Sequence, residues 1–226
     1  MTAAPVTSSA VTFALDYYLL CPADAPVAPL GLLVEEFVLA DDLSATRLRT
    51  AGWTRADGGW WSSAAFAHAV RADPDVRARL RAVGRADAEE AYLRSGGGAL
   101  PDEDVLRCHF RDDVPLATVA PLRLGDGPPV WRVLFAGELD DGRLAALRTA
   151  LRLDAGTGHG LAGTGRLRVD GTMFRWDLRR VGGGVAWCLD VTAEPAHRDA
   201  LRPLLRRLTD VVRRHGLVPA TIERFA

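Results

Sequence analysis

The chain has 226 residues, of which 48% are hydrophobic and 25% are charged, and its formal net charge at pH 7 is −1. These values are ordinary for a globular protein of one large or two small domains. The balanced charge excludes an overall field that would draw the chain to nucleic acid or to an anionic membrane, so any such binding needs a local patch.

All 28 basic residues of the chain are arginine, and the sequence contains no lysine, asparagine or glutamine. A Schiff-base lysine and a lysine-dependent phosphate loop are therefore excluded, as are a Cys-His-Asn triad and an N-glycosylation site. The bias, together with 22 glycines and 13 prolines, is typical of very GC-rich coding such as that of high-GC actinobacteria. The abundance of arginine is therefore weak evidence for arginine-specific chemistry.

The three cysteines, Cys21, Cys108 and Cys188, are far apart and form no CxxC pair, which favours reduced thiols. Residues 1–10 lack the charged segment of a signal peptide, and no stretch is apolar enough for a membrane helix. The five histidines show no metal-ligand spacing. We expect a cytoplasmic bacterial protein with a disordered N-terminus over residues 1–10 and with no membrane association, cofactor or metal ion.

Residues 11–111 are predicted to form a mostly helical N-terminal domain that carries one strand and a small hairpin. Strand signals are the β-branched and aromatic residues near the start, and helix signals are acidic or capping residues before apolar runs. An Asp-Gly pair between tryptophans predicts the hairpin. The predicted elements are a strand over residues 11–20, a helix from Asp41 to Gly52, a hairpin at Asp57-Gly58, a helix capped by Ser62 or Ser63, and helices beginning near Pro74 and Pro101.

Residues 112–129 contain four prolines and two glycines without amphipathic periodicity, and they are predicted to be a linker. Residues 130–226 then show alternating strands and a leucine stripe at helical spacing between Leu201 and Val212. Their predicted order is β-α-β-β-α-β, with one strand over residues 166–181. This order resembles the ferredoxin-like plan, a four-stranded antiparallel sheet with two helices on one face. The predicted class of the whole chain is therefore α+β.

Gly182-Gly183-Gly184 is either a phosphate cradle or the turn of a hairpin. A phosphate-binding glycine loop leads from a strand into a helix, whereas these glycines separate two alternating segments that each place tryptophan on one face. We interpret them as a hairpin turn. The G-x-G-x-x-G match at residues 158–163 also has the wrong context, because it follows a helix and precedes a strand.

The face of the C-terminal sheet opposite the tryptophans supplies the candidate ligand-binding residues. Three interpretations remain open for this face: a solvated surface, an interface with the N-terminal half or a partner, or an anion-binding or catalytic site. The arginine-rich outer side of the last helix, which includes Arg213 and Arg214, is the best local basic patch. The candidates are Arg132, Arg175, Asp177, Arg179, Cys188 and Asp190, with His159 from the glycine-rich loop.

The absence of a recognisable nucleophile–base set favours a non-enzymatic interaction or regulatory protein that binds another macromolecule, either a protein partner or a second copy of itself. The alternative is a small-molecule-binding protein or an enzyme that uses a pocket on the open face of the C-terminal sheet. Nucleic-acid binding through the sheet is disfavoured, because the aromatic residues are predicted to lie under the helices.

Overall fold

The computed structural model of the protein describes residues 14–22, 28–116, 127–182, 186–196 and 198–225. Within these ranges the chain forms two antiparallel sheets with helices packed on them, which confirms the α+β class. The predicted disordered N-terminus, residues 1–10, lies outside the described residues.

The first half is built on a sheet with strand order β4-β3-β2-β1-β5, and β6 pairs with β3. Helices α3 and α4 cover one face, and α1 and α2 lie on the other face together with elements of the second half. The strands are β1 (Asp16–Leu20), β2 (Gly31–Leu39), β3 (Ala45–Thr54), β4 (Trp60–Ser62), β5 (Leu80–Val83) and β6 (Asp113–Pro115). The helices are α1 (Ala64–Ala72), α2 (Pro74–Ala78), α3 (Arg85–Arg94) and α4 (Glu103–Arg107).

The predicted mostly helical character of the first half is wrong, because residues 45–54 form β3 instead of a helix. Asp41 and Asp42, which are predicted to begin a helix, lie instead in a turn. In this turn Asp42 Oδ1 accepts hydrogen bonds from the Ser44 amide at 3.0 Å and from the Ser44 hydroxyl at 2.6 Å. Leu43 has a φ of 69° in this turn. The turn joins β3 to β2, whose nine residues are all buried and show no alternation.

Two local predictions for the first half are confirmed. Asp57-Gly58 lies in the hairpin between β3 and β4, where Gly58 has a φ of 63° and Trp53 pairs with Trp60. Ser63 caps α1, because its hydroxyl accepts a hydrogen bond from the Phe66 amide at 3.1 Å.

The second half is built on a sheet with strand order β11-β7-β10-β9-β8. The predicted single strand over residues 166–181 is wrong, because Asp170 and Gly171, with φ values of 47° and 81°, turn the chain between β8 and β9. The order of elements is therefore β-α-β-β-β-α-β rather than the predicted β-α-β-β-α-β. The elements are β7 (Val130–Ala136), α5 (Asp141–Ala150), β8 (Leu161–Val169), β9 (Thr172–Val181), β10 (Ala186–Glu194), α6 (Arg198–Arg214) and β11 (Val218–Phe225).

The tryptophans of β9 and β10 lie on the buried face of the second sheet, as predicted. Trp176 and Trp187 belong to a core that includes apolar residues of α5 and α6, and Trp176 Nε1 donates to the Leu151 carbonyl at 3.1 Å. The hairpin interpretation is confirmed by antiparallel pairing of Val181 with Ala186. Gly183 and Gly184 themselves lie outside the described residues.

The two halves share one hydrophobic core. Phe37 and Leu48 of the first sheet pack in the same cluster as Leu205 of α6 and Val133 of β7. Trp131 Nε1 donates to the Asp42 carbonyl at 2.8 Å and adds a polar link between the halves. Within the predicted linker, residues 113–115 form β6, whereas residues 117–126 lie outside the described part. Helix α6 is therefore a packing element of both halves.

Candidate functional site

The structure brings six of the seven predicted site residues together on the outer face of the second sheet. Arg132 forms a bidentate pair with Asp190, at 2.7 and 2.8 Å. Arg179 contacts Asp177 at 2.7 Å and Asp190 at 3.6 Å, and Arg175 contacts Asp177 at 3.3 Å. The charges of this face are therefore paired with one another across β7, β10 and β9.

The pairing also determines the ionisation of this surface. Burial of Asp177 would raise its pKa, but hydrogen bonds from Thr164 and Arg179 outweigh that effect and hold the pKa below its usual range. The carboxylate is therefore ionised and acts as an acceptor for its neighbours. A group fixed in this way does not serve as a general acid near neutral pH.

Cys188 and His159 do not add a reactive group to this surface. Cys188 is fully buried on β10, and burial together with the Asp190 carboxylate raises the pKa of its thiol to about 11. His159 is exposed in the loop before β8, and only the neighbouring Gly160 is tied to the sheet, through its carbonyl and the Arg180 amide. The Cys188 thiol, by contrast, is protonated and inaccessible at physiological pH.

We expect iodoacetamide to alkylate Cys108 and to leave Cys188 unmodified in the native protein at mildly alkaline pH. Cys108 is exposed, whereas the Cys188 thiolate is suppressed by its raised pKa and by burial. Peptide mass spectrometry before and after unfolding in urea measures both sites, and the unfolded chain should react at Cys188 as well. Rapid alkylation of native Cys188 would contradict the burial of β10.

A concave site lies between the two halves, away from the candidate ligand-binding residues of the outer sheet face. It is a cleft of about 1060 Å³, bordered by α1, α2 and β5 on one side and by the ends of β7 and α6 and the start of α5 on the other. Guanidinium groups dominate its charged lining. We call it the arginine cleft; its ionisable lining residues are Arg71, Arg77, Arg81, Arg143, Arg213, Arg214, His215 and Glu138.

Two buried carboxylates of the first sheet fix the innermost arginines. Glu35 forms a bidentate pair with Arg71, with both N–O distances at 2.9 Å. Asp16 lies 3.2 Å from Arg213 Nε, and Arg213 also donates to the Tyr17 carbonyl at 2.7 Å. Burial alone would lower the pKa of both guanidinium groups, but the adjacent carboxylates raise it, so both stay charged.

The remaining charges leave the cleft with an excess of positive groups. Glu138, the acid in the lining, is paired with Arg180 at 2.7 Å. Arg214 is paired with Asp210, and Arg143 with Asp140, but these pairs are exposed and weak. Among the described residues, no carboxylate forms an ion pair with Arg77 or Arg81.

An arginine from each half lies beside one of two neighbouring glycines. A Cβ atom built on Gly137 would lie 3.4 Å from the Gly216 carbonyl oxygen and 3.5 Å from Arg77 Nε. One built on Gly216 would lie 3.4 Å from Arg143 Nη1. Both glycines have positive φ, 123° and 96°, so the backbone turns that make this space favour glycine. Arg77 of α2 and Arg143 of α5 therefore each lie beside one glycine of this pair.

Part of the arginine content of the cleft has a structural explanation. Arg71, Arg77 and Arg213 lie in the last turns of α1, α2 and α6, where cations are favoured by the helix dipole. Arg77 Nη1 also donates to the carbonyls of Val70 and Arg71, at 3.2 and 2.9 Å. Arg81 lies on a strand and Arg143 near the start of α5, so helix termination does not explain them.

Sequence reasoning found one part of this site and missed the rest. The sequence places Arg213 and Arg214 in a basic patch on the outer side of the last helix. Arg213 is instead 2% exposed, and Arg206 reaches the buried Asp16 at 2.7 Å. The contributions of Arg77 and Arg81 had no local signal, because the cleft exists only when the halves pack together.

No helix among the described residues is long and apolar enough to cross a membrane. In the same part of the chain, no three His, Cys, Asp or Glu side chains are grouped in a way that would hold a metal ion. Comparison of the chain with models of known protein families, with curated proteins and with solved structures finds no match.

Proposed function

We propose that the protein is a non-enzymatic binding protein whose partner places negative charge in the arginine cleft. The observation that carries this proposal is the concentration of six arginines and one histidine in a cleft whose lining acid, Glu138, is already paired. A chain with a formal net charge of −1 has no general attraction for anions, so this excess is local.

The chemistry of guanidinium groups supports binding rather than catalysis. Arginine stays protonated at every physiological pH, and its planar fork holds carboxylates or phosphates through paired hydrogen bonds. It neither accepts a proton nor attacks a substrate. Arg71 and Arg213 are already engaged by Glu35 and Asp16, so Arg77 and Arg81, which form no ion pair among the described residues, are the arginines left to meet a ligand.

The outer face of the second sheet is the less suitable site for the alternative, a small-molecule pocket. Its arginines and aspartates are paired with each other, so a ligand would have to break those pairs. The thiol of Cys188 is covered. We therefore assign the binding role to the arginine cleft.

We further infer that the second half is a ferredoxin-like unit with β8 added at one edge. Strands β11, β7, β10 and β9 lie in that order and are all antiparallel, and both α5 and α6 contribute to the core on one face. This plan hosts many unrelated functions, so the role proposed above is argued from the cleft alone. The composition and the free cysteines support a cytoplasmic bacterial protein.

The double variant Arg81→Ser/Arg143→Ser is expected to weaken binding of inorganic tripolyphosphate about tenfold, because it removes one cleft guanidinium from each half. Isothermal titration calorimetry at low ionic strength measures the affinity, and added salt should weaken binding to the native protein. Arg94→Ser/Arg166→Ser is the matched control, since both arginines are exposed, ion-paired and outside the cleft. Absence of binding at millimolar tripolyphosphate, or an equal loss in both variants, would refute the proposal.

A further inference from the structure

We propose that the partner of the arginine cleft is an extended acidic peptide segment, which adds to the edge of β5 as a further strand while its carboxylates meet Arg77 and Arg143. This inference rests on the proposed function and specifies the class of partner. It combines the charge of the cleft with a second feature that small anions do not use, the backbone of β5.

Strand β5 ends the first sheet, and within the described residues its strand partner is β1. The Cys21 amide donates to the Arg79 carbonyl at 2.8 Å, in the same register that pairs Leu19 with Arg81. Because hydrogen-bonded residues alternate along an antiparallel pair, Arg81 directs its backbone groups toward β1. Leu80 and Ala82 therefore direct their amide and carbonyl groups away from β1.

Both of these residues line the arginine cleft. Among the described residues this edge has no strand partner, so the two amides and two carbonyls of Leu80 and Ala82 face the cleft and suffice to pair with a short extended segment. The Arg81 side chain is exposed at the middle of this edge, and no ion pair engages it within the described ranges. A segment that pairs with the edge therefore passes directly beside an unneutralised guanidinium group.

The surroundings of this edge select for acidic side chains. Arg77 lies beside Gly137 and Arg143 beside Gly216, and Glu138, the acid among the described lining residues, is paired with Arg180. A basic peptide would meet like charges here, and an apolar one would leave Arg77 without a compensating carboxylate. Carboxylates on alternating residues of an added strand point to one face, and on the face of Leu80 and Ala82 they would meet the side of the sheet covered by α2, which carries Arg77.

Nucleotides and phosphate chains would contact fewer groups of the cleft than an acidic peptide would. Among the described residues that line the cleft none is a tryptophan, tyrosine or phenylalanine, so they offer a nucleotide base no ring on which to stack. A phosphate chain bonds to guanidinium groups but leaves the acceptors and donors of Leu80 and Ala82 to water. An acidic peptide satisfies both sets of groups at once.

The test uses the full chain and a blocked octapeptide of alternating valine and glutamate, labelled for fluorescence anisotropy. We expect it to bind and the valine–lysine counterpart not to bind. Two further peptides carry N-methyl groups on one or the other alternating set of amides, which removes donors without changing charge. One of these peptides should lose affinity about tenfold or more, and the other should lose little, because only one set faces β5.

Variants of the protein give an independent reading. Ala82→Pro removes the outward amide of the edge, a position where proline is tolerated in strands, and Ala82→Ser retains it as the matched control. We expect the proline variant to bind the peptide about tenfold more weakly while its affinity for tripolyphosphate stays unchanged, with circular dichroism reporting on folding. If the proline variant does not fold, the N-methylated peptides decide the question with the native chain.

The outcomes separate the two proposals. Binding of tripolyphosphate without binding of the valine–glutamate peptide, or equal affinities for the three acidic peptides, overturns the strand-addition inference and leaves the anionic cleft in place. Failure of both ligands to bind overturns both. Loss of affinity confined to one methylated set and to the proline variant supports strand addition.

Discussion

Replacing Arg213 by alanine is expected to lower the free energy of unfolding by about 3–5 kcal/mol, because it removes one partner from a buried ionic network. Arg213 is 2% exposed and contacts the Asp16 carboxylate, the Asp210 carboxylate and the Tyr17 carbonyl. Its guanidinium also lies 4.9 Å from the centre of the Tyr18 ring, so the substitution leaves a cavity as well as unsatisfied acceptors.

Urea unfolding followed by circular dichroism measures this change, and Arg214→Ala is the control. Arg214 is the neighbouring residue, shares the Asp210 partner and has a half-exposed side chain, so its loss should cost less than about 1 kcal/mol. Equal small effects of the two substitutions would show that the contacts between α6 and β1 do not stabilise the fold.

The second large effect is expected for Leu205→Ala, which should destabilise the protein by about 2–5 kcal/mol. Leu205 has no exposed surface and lies on α6 in the core shared by Phe37 of the first sheet and Val133 of the second. Truncation leaves a cavity that touches both halves. Tryptophan fluorescence and circular dichroism should therefore report one common unfolding transition, shifted to lower urea concentration.

Leu93→Ala is the matched control for this substitution. Leu93 is also a helical leucine, but it is 61% exposed on α3, and its replacement should change the free energy of unfolding by less than about 0.5 kcal/mol. If Leu205→Ala were equally mild, or if the two probes gave separate transitions, the shared core would be disproved.

The second half of the fold was largely predictable because its periodicities are clean. Residues of β7 alternate between buried and half-buried, and the leucines of α6 repeat at helical spacing, so each element indicates its own inner face. The missed turn at Asp170-Gly171 carried a strong local signal. It was overlooked because the flanking residues continue the strand pattern on both sides.

The first half was poorly predictable for two physical reasons. Strand β2 is buried on both faces, so its residues show no alternation that distinguishes a strand from a helix. Asp42 satisfies backbone and hydroxyl donors of a hairpin turn, a role that matches the composition of a helix start. Capping residues indicate short helices such as α2 in the sequence. No comparable local pattern indicates the sheet that these helices cover.

The arginine cleft depends on tertiary contacts that local patterns do not encode. Arg81 and Arg143 are far apart along the chain, and each is unremarkable beside its neighbours in a sequence whose cations are all arginine. Only the end of α6 was marked in advance as basic. The charged residues that were predicted to share the outer sheet face do lie close together, but they form ion pairs with one another.

The placement of α6 also constrains the order in which the nascent polypeptide matures. Glu35 and its partner Arg71 are 36 residues apart in the sequence. Tyr17, whose carbonyl accepts a hydrogen bond from Arg213, lies 196 residues before that arginine. Until α6 leaves the ribosome, Asp16 has no Arg206 or Arg213 beside it and keeps its hydration shell. The first sheet therefore reaches its final burial only after α6 has been synthesised, which makes its maturation dependent on a helix that lies far along the chain.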